Sequence, residues 1–316
     1  MKQLAEQIIA GRRLTRSDDL EAFLSAPLQE LCDGADQIRK ALCGTQGDLC
    51  SIINGRSGRC AEDCKFCAQS CHYQTKIDEY PFLDQSSIVR EFRQNRSGGV
   101  HRFSIVTAGR SLQGKDLDKA LDTYRELHRE GGMKLCASHG LQTVEEFRRL
   151  KQAGVERAHI NLEACRRYFP RVCTTHTYDD KLANIARARE AGLEVCSGGI
   201  IGMGETWQDR LDLAVSLAEL EITSIPINIL RPIPGTPYEA MEPLSNDDVL
   251  RCVAFFRYLN PTAWIRLAAG RGQFPDGGAC LFRSGANSAI TGDMLTTTGT
   301  SIAGDLRMFR QLGYTV

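Results

Sequence analysis

The chain has 316 residues, with 39 basic and 39 acidic side chains and therefore no formal net charge. This balance lacks the basic surface that nucleic acids and anionic membranes attract, so we expect neither among its partners. The hydrophobic content of 42% is typical of a globular protein, and no run of about 18 apolar residues predicts a membrane span. Glu6 stands where a signal peptide needs an apolar stretch, so we expect a cytoplasmic protein.

Cysteine is the unusual component, with 13 residues in the chain. An odd number of cysteines in a long chain without a secretory signal argues against a disulfide framework. In a reducing compartment, such cysteines more often bind metals or take part in catalysis. We therefore expect thiolate ligands among them.

The chain divides into a helical start and a longer alternating part. Residues 1–45 have helical spacing, with Leu4, Ile8 and Ile9 on one face, and we expect them to form a helical extension. Over 46–316, short runs rich in β-branched residues alternate with longer amphipathic segments, which indicates one domain. The predicted strands are 49–53, 102–107, 133–138, 157–162, 193–201, 224–229, 263–268 and 286–291.

Helix start signals separate the predicted strands. Thr143, Thr177 and Thr206 each precede an acidic residue by three positions, which is the spacing of a capping box. Another helix begins near Asn246 and ends before Pro261. Eight strand–helix repeats within about 250 residues favour a closed (β/α)8 TIM-type barrel over the alternative, an open doubly wound sheet. In such a barrel, functional residues lie at the C-terminal ends of the strands.

A cluster of three cysteines, Cys60, Cys64 and Cys67, follows the first predicted strand at the spacing C-x3-C-x2-C. Thiolates this close repel each other unless a metal neutralises them. A structural zinc site needs four ligands, whereas three thiolates on a 4Fe–4S cluster leave one iron free for a small molecule. Cys71 is the alternative, because a fourth thiolate would close the cluster.

With Phe66 before its last cysteine, this triplet resembles the cluster loop of the radical S-adenosylmethionine superfamily. The resemblance implies that a 4Fe–4S cluster binds S-adenosylmethionine and cleaves it to a 5′-deoxyadenosyl radical. Further motifs are similar to those of the biotin synthase family, namely CSIING at 50–55, CKFCAQS at 64–70, CSGGIIGMGE at 196–205, PIN at 226–228, RLAAGR at 266–271 and GANS at 285–288. This similarity implies a sulfurtransferase that inserts sulfur from an auxiliary cluster between two carbons of dethiobiotin.

Residues suited to that auxiliary cluster lie on three odd-numbered strands, with Cys136 on the third, Cys196 on the fifth and Arg266 on the seventh. Barrel interiors fill in layers drawn from alternate strands, so these side chains share a layer if they point inward. A buried arginine there needs an anion, and a thiolate-bound cluster is one. The resemblance implies a 2Fe–2S cluster held by three cysteines and one arginine, and these residues match three of the four positions.

The fourth position differs from the family pattern. The usual cysteine of the second strand falls at Ser104, whose oxygen is a weaker iron ligand than a thiolate. Either Ser104 binds the cluster or another thiol replaces it. Cys50, on the first predicted strand, completes the odd-numbered set, and we favour it. On this hypothesis Cys50, Cys136 and Cys196 hold a cluster of the 2Fe–2S type or larger, with Arg266 nearby.

Contacts to S-adenosylmethionine and dethiobiotin also follow from the resemblance. Glu163 matches the acidic residue that binds the ribose, and His176 stands where an arginine for the carboxylate is usual. The glycine-rich segment after the fifth strand is implied to lie against the adenosine, although it could equally be a tight turn. The implied cofactor contacts are Phe66, Glu163, His176, Gly198, Gly199 and Ile201. The implied dethiobiotin contacts are Asn161, Asn228, Thr296 and Thr297.

Several residues keep an alternative, structural interpretation. His159 stands where the family has another asparagine, and a lone histidine is often structural. Cys173 and Cys280 lie in loops near the expected active face and are candidates for sulfur delivery. The cysteines expected only to pack are Cys32, Cys43 and Cys252.

Two other functions stay open at this point. A maturase of the hydrogenase-assembly type shares the barrel and the first cluster, but Cys136, Cys196 and Arg266 argue against it. A non-catalytic metal-binding module leaves a three-thiolate loop at the mouth of a barrel unexplained. The resemblance further implies a homodimer, an electron donor of the flavodoxin or ferredoxin type, and an iron–sulfur supply system.

Overall fold

The computed structural model describes residues 1–296 and 299–316, so the expected substrate contact Thr297 lies outside the described residues. The strands are β1 (Asp48–Arg56), β2 (Arg102–Thr107), β3 (Lys134–Ser138), β4 (Val155–His159), β5 (Glu194–Cys196), β6 (Gly199–Ile201), β7 (Ser224–Ile229), β8 (Trp264–Leu267) and β9 (Ser288–Ile290). The helices are α1 (Lys2–Ile9), α2 (Ala22–Ser25), α3 (Leu28–Cys43), α4 (Gln85–Ser97), α5 (Gly114–Glu130), α6 (Val144–Gln152), α7 (Phe169–Val172), α8 (Tyr178–Glu190), α9 (Trp207–Glu219), α10 (Asn246–Leu259), α11 (Ala279–Phe282) and α12 (Ile302–Gln311). Within these ranges, no helix combines the length and the apolar character needed to cross a membrane.

The strands close into a parallel barrel. Their hydrogen-bonded order is β5-β4-β3-β2-β1-β9-β8-β7-β6, and β5 also pairs with β7, which joins the two ends. Every one of these pairings is parallel. Strands β5 and β6 together form the fifth strand of the barrel, which is interrupted at residues 197–198. The predicted (β/α)8 TIM-type barrel is therefore confirmed, with one break that the sequence did not predict.

The helix start signals act as expected. Thr143, Thr177 and Thr206 each form a complete capping box, in which the threonine side chain and the acidic side chain bind each other's backbone N–H. At α10 the cap is Ser245, one residue before the expected start, and its hydroxyl accepts from Asp248 N at 3.1 Å. Each such cap stabilises a helix by about 1 kcal/mol.

The N-terminal helices pack on the outer layer of the barrel. Helix α3 lies between α1 and α10. The ring of Phe23 meets that of Tyr258 on α10 with 5.2 Å between centroids. Gly34 allows α3 to approach α10 closely, because a Cβ at position 34 would lie 1.8 Å from the Tyr258 hydroxyl oxygen. The apolar face of α1 that the sequence predicted is also turned inward, with Ile8 fully buried.

Candidate functional site

A cavity of about 410 Å³ opens among the C-terminal ends of the strands. The side chains that line it come from the triplet loop, from the barrel interior and from the loops that follow β4 and β9. Ile200 lines it from the segment that also contains Gly198, Gly199 and Ile201. The expected site residues in its wall are Cys50, Cys60, Cys64, Phe66, Cys67, Ser104, Cys136, Asn161, Glu163, His176, Cys196, Asn228, Arg266 and Thr296.

The triplet loop after β1 is folded back on itself by backbone hydrogen bonds. Cys60 N donates to Gln69 O at 2.9 Å, and Cys71 N donates to Cys60 O at 2.8 Å. A further bond of 2.9 Å joins Cys67 N to Cys64 O. The Cys71 side chain is exposed, whereas the three triplet thiols line the cavity. The backbone of Cys71 therefore helps to fix the triplet while its thiol points to solvent.

Cys64 has a neighbour, Cys173, that the sequence analysis did not connect with it. Its thiol donates to the sulfur of Cys173, which raises the pKa of Cys64. The Cys173 sulfur also lies 3.2 Å from His176 Nδ1 and 3.1 Å from Asp63 Oδ1. Hydrogen bonds from Cys64 and His176 overcome the effect of burial and lower the pKa of Cys173 to about 4. The C-x2-H spacing of Cys173 and His176 was the available signal for this cluster.

His176 is buried and bonded to acidic and sulfur partners. Its Nδ1 contacts the carboxylate of Glu62, and the other oxygen of Glu62 accepts from Arg110 Nη1 at 3.1 Å. Although burial acts in the opposite direction, the contacts with Cys173 and Glu62 raise the pKa of His176. A raised pKa favours the protonated ring, whose Nε2 has no hydrogen-bond partner among the described residues and can donate to the carboxylate of a ligand.

Three thiols lie in the barrel interior on β1, β3 and β5. Cys50, Cys136 and Cys196 are all buried. Burial raises the pKa of Cys50 to about 12, against the lowering effect of Arg266. Cys196 behaves differently: burial would raise its pKa, but a hydrogen bond from His159 and the charges of His159, Arg266 and Arg157 together lower it to about 6. The three sulfurs are close enough for their charges to act on one another's pKa values.

Arg266 has a carboxylate partner within the protein. Its Nη2 donates to Asp48 Oδ2 at 2.5 Å, and its Nη1 donates to Ala289 O at 3.1 Å. The sequence argument offered a cluster as the anion for this arginine, and the structure adds Asp48 as a second one. The position of Arg266 beside Cys50 and Cys196 nevertheless matches the expected layer.

Two more buried arginines, which the sequence analysis missed, face the same interior. Arg102 Nη1 lies 3.9 Å from the Cys136 sulfur. Arg157 pairs with Cys136 in the register of β3 and β4, and its guanidinium binds Glu194 at 2.7 Å. A signal for the first existed in the sequence: Arg102 stands two residues before Ser104, and alternate residues of a strand face the same side.

Glu163 occupies a strained backbone position beside the break in the fifth strand. Its φ is +66°, in the left-handed region that side chains other than glycine rarely adopt. Two backbone hydrogen bonds fix this conformation: Glu163 N donates to Gly198 O at 3.1 Å, and Ile200 N donates to Glu163 O at 2.9 Å. Burial raises the pKa of its carboxyl group, which Lys181 partly opposes. Such strain concentrates at functional sites.

The two asparagines expected to contact dethiobiotin also hold the broken strand. Asn161 Oδ1 accepts from Gly198 N at 3.0 Å. Asn228 Nδ2 donates to Gly199 O at 3.3 Å, and its Oδ1 accepts from Ala269 N at 3.3 Å. Both amides line the cavity while satisfying backbone groups that the break leaves unpaired.

The glycines at the break have a packing reason to be glycine. A Cβ on Gly198 would lie 1.9 Å from Pro226 O, and one on Gly199 would lie 2.5 Å from Glu163 O. Close approach of backbone to backbone therefore excludes a side chain at both positions. Ile201 is buried in β6 and pairs with Ile229 in the register of β7.

The remaining cysteines mostly pack. Cys32 and Cys252 are buried in the hydrophobic core, as expected. Cys43 is half-buried, with its sulfur 3.3 Å from Arg257 Nη1. Cys280 lies on α11 with its sulfur 3.7 Å from Asp276 Oδ1.

Solved structures of low sequence identity share the fold. Methylornithine synthase superposes with a TM-score of 0.84 at 18% identity, covering 99% of this chain and 96% of that chain. The FeFe-hydrogenase maturase of Carboxydothermus hydrogenoformans superposes with a TM-score of 0.80 at 17% identity, covering 99% and 79%. At these identities the likeness shows the fold alone.

Sequence comparisons give the family. The radical SAM superfamily model matches residues 56–217, and the biotin and thiamin synthesis associated domain matches residues 226–315. The biotin synthase of Clostridium beijerinckii is 57% identical over 316 residues, which is 100% of both chains. That of Alkaliphilus metalliredigens is 57% identical over 314 residues, covering 99% of both. Both family models match, and the relatives are similar along their whole length. The chain therefore belongs to the biotin synthase family of the radical S-adenosylmethionine superfamily.

Proposed function

We propose that this chain converts dethiobiotin to biotin by inserting sulfur between two carbon atoms of the substrate. The observation that carries the proposal is the single cavity lined both by the triplet thiols and by the buried thiols Cys136 and Cys196. The amides of Asn161 and Asn228 line the same space and suit the neutral ureido ring of dethiobiotin. A substrate held there has access to a radical source and to a sulfur source at once.

The triplet loop fits a 4Fe–4S cluster by its donor chemistry. Cys60, Cys64 and Cys67 offer three thiols on one backbone-braced loop at the cavity, which leaves one iron for another ligand. When bound, the cluster supplies the electron that cleaves S-adenosylmethionine to a 5′-deoxyadenosyl radical. The chain's own contribution is to enclose that radical, with Phe66 in the same cavity wall.

The S-adenosylmethionine contacts are proposed on the side of the cavity formed by the loops after β4 and β5. The Glu163 carboxylate accepts hydrogen bonds from the ribose hydroxyls. His176, with its raised pKa, faces the carboxylate of the methionine moiety. Gly198, Gly199 and Ile201 shape the broken strand against which the adenosine lies.

The auxiliary cluster is proposed on Cys50, Cys136 and Cys196, with Arg266 beside it. The donor set fits, because three buried thiols surrounded by three guanidinium groups favour a negatively charged iron–sulfur group. Ser104 faces the same cavity and is the alternative ligand. Thr296 lines the cavity as a further contact to dethiobiotin.

The remaining partners are proposed from the family membership. They are a second copy of the chain in a homodimer, an electron donor of the flavodoxin or ferredoxin type, and an iron–sulfur supply system. A cytoplasmic location is proposed with them, because free thiols and iron–sulfur ligands need a reducing compartment.

An anaerobic assay tests the function. The protein is reconstituted with iron and sulfide, mixed with a reductant, S-adenosylmethionine and dethiobiotin, and 5′-deoxyadenosine and biotin are measured by mass spectrometry. We expect both products, with more deoxyadenosine than biotin. Cys60→Ala is expected to form neither, while the exposed Cys71→Ala serves as the matched control and forms both. If deoxyadenosine forms without biotin, the proposal that dethiobiotin is the substrate is wrong. If neither product forms in an intact, cluster-loaded protein, the proposal that the chain is a radical enzyme is wrong.

A further inference from the structure

A group of three metal-binding side chains lies at the edge of the cavity. Cys64, Cys173 and His176 each offer one ligand atom, and these atoms all lie within 4.8 Å of one another. Cys64 belongs to the triplet loop after β1, whereas the other two belong to the loop between α7 and α8. Cys173 and His176 are buried, with 2% and 7% of their surface exposed. The family assignment accounts for Cys64 but gives no reason for Cys173.

We propose that Cys64, Cys173 and His176 bind one divalent zinc-type ion when the triplet carries no iron–sulfur cluster. Because Cys64 belongs to both ligand sets, we further infer that this ion and the 4Fe–4S cluster exclude each other. The binding of the ion is inferred from the geometry alone. Its exclusion of the cluster, the second half of the proposal, rests on the proposed role of Cys64 as a cluster ligand.

The donor set suits zinc. Two thiolates and one imidazole form three of four ligands in a common type of tetrahedral zinc site. Ligand atoms in such a site lie about 3.5 Å apart, since Zn–S bonds are about 2.3 Å and Zn–N bonds about 2.0 Å. The Cys173 sulfur already lies 3.2 Å from His176 Nδ1. Asp63 Oδ1 lies 3.1 Å from the same sulfur but outside the group of three mutually close ligand atoms, which leaves the fourth position open to a water molecule.

The two loops are held together without a metal. Asp63 accepts backbone N–H groups of Thr174 at 2.8 Å and of Thr175 at 3.1 Å. Lys65 N donates to the carbonyl oxygen of Val172, the last residue of α7, at 3.0 Å. The ligand atoms are therefore brought together before binding, which reduces the entropy cost of forming the site. On binding, the two sulfurs coordinate as thiolates and His176 as a neutral imidazole, so any protons that these groups carry are released to solvent, and no electron is transferred.

A cobalt titration tests the site. Cluster-free, fully reduced protein is titrated anaerobically with Co²⁺, whose thiolate charge-transfer and d–d absorption report tetrahedral sulfur ligation. We expect one equivalent to bind, to show that absorption and to be displaced by Zn²⁺. Cys173→Ser and His176→Asn are each expected to weaken binding by roughly tenfold or more. Circular dichroism of each variant checks that the fold is kept.

The matched controls are Cys60→Ser and Cys67→Ser, which remove triplet thiols outside the proposed set. We expect both to bind Co²⁺ as the unaltered protein does. If instead these two variants lose the ion and Cys173→Ser keeps it, the ion binds the triplet and the proposal is overturned. The titration uses neither S-adenosylmethionine nor dethiobiotin, so its failure is distinguishable from a failure to form biotin.

Competition with cluster assembly tests the second half. Protein preloaded with Zn²⁺ is given iron and sulfide, and bound iron and cluster absorption are followed in time. We expect assembly on the triplet to be slowed by roughly tenfold or more in the unaltered protein and to recover when a chelator is added. Cys173→Ser, which lacks the zinc site but keeps the triplet, is expected to assemble at the same rate with and without Zn²⁺. Equal slowing of both proteins would overturn the exclusion.

Discussion

Arg266, which is buried, forms an ion pair with Asp48, whose side chain is 13% exposed, with 2.5 Å between Nη2 and Oδ2. The arginine lies on β8, and the aspartate opens β1. Burial alone would raise the pKa of Asp48, but Arg266 and then Arg102 outweigh it and lower the pKa. The guanidinium beside the proposed auxiliary cluster therefore has a counter-charge and a fixed position of its own.

Replacing Asp48 with Asn should destabilise the protein. Arg266 would then stay buried without a charge partner, and breaking a buried pair in this way costs about 3–5 kcal/mol of unfolding free energy. Urea unfolding of the cluster-free protein measures the loss. Because the folded pKa of Asp48 is lowered, its stabilisation is present above the usual aspartate pKa of about 3.9 and is lost as the pH falls further.

The control for that variant is Asp18→Asn. Arg12 and Asp18 are also 2.5 Å apart, but the Arg12 side chain is 44% exposed. Exposed pairs contribute at most about 1 kcal/mol, because water screens them. If both variants lose the same unfolding free energy, burial of Arg266 does not make the pair with Asp48 more stabilising than an exposed pair.

Cys50→Ala should remove the auxiliary cluster and leave the first cluster in place. Its thiol lies close enough to Arg266, Cys136 and Cys196 for their charges to act on it. We expect iron and sulfide to fall to the content of one 4Fe–4S cluster, with deoxyadenosine formation retained and biotin formation lost. Ser104→Ala is the matched variant from the neighbouring strand and should keep both clusters. The reverse pattern would assign the ligand to Ser104.

Glu163→Gly should separate backbone strain from cofactor binding. A left-handed residue other than glycine costs about 1–2 kcal/mol, which glycine relieves at some cost in chain entropy, so we expect a net gain in stability of up to about 1 kcal/mol. Loss of the carboxylate should weaken S-adenosylmethionine binding by roughly tenfold, the value of a charged hydrogen bond to a hydroxyl. Equilibrium binding to the reconstituted enzyme and thermal unfolding measure the two effects.

The control for that prediction is Glu221→Gly. Glu221 has a φ of +51° in the turn after α9, away from the cavity wall. The Glu221→Gly variant should gain a similar unfolding free energy without any change in its affinity for S-adenosylmethionine. If Glu163→Gly binds S-adenosylmethionine as tightly as the unaltered protein, Glu163 does not bind the ribose.

His139 should make stability depend on pH. It is buried after β3 between the Thr107 hydroxyl and the Tyr124 hydroxyl, each 3.0 Å from a ring nitrogen. Burial, with a smaller effect of Arg56, lowers its pKa to about 3. The unfolded chain binds a proton below about pH 6.5, whereas the folded chain does not, so stability is full above 6.5 and falls towards pH 3.

The contribution of His139 is about 1.4 kcal/mol per pH unit within that interval. His139→Gln removes the titrating ring, and its unfolding free energy should fall less steeply between pH 6.5 and pH 4 than that of the unaltered protein. His72→Gln changes an exposed histidine and should leave the slope unchanged. Unfolding in urea at several pH values measures both slopes, and identical slopes for all three proteins would contradict the prediction.

The break in the fifth strand shows where sequence reasoning stopped. Residues 193–201 have the composition of one strand, but the structure divides them into β5 and β6. The division follows from the contact of Gly198 with the Pro226 carbonyl and from the bond between Asn161 and Gly198. Neither partner is near Gly198 in the chain, so these contacts could not be inferred from local sequence, although two adjacent glycines within a strand are a local sign of a bend.

The sequence by itself determined the features that depend on neighbouring residues. Strand and helix periods, the capping boxes at Thr143, Thr177 and Thr206, and the spacing of the cysteine triplet all act over a few residues. Only the tertiary structure decided which buried groups meet. Asp48 and Arg266 are 218 residues apart, and Asp63 and Cys173 are 110 apart. Such pairs depend on strand register and loop packing across the closed barrel, which are properties of the whole fold.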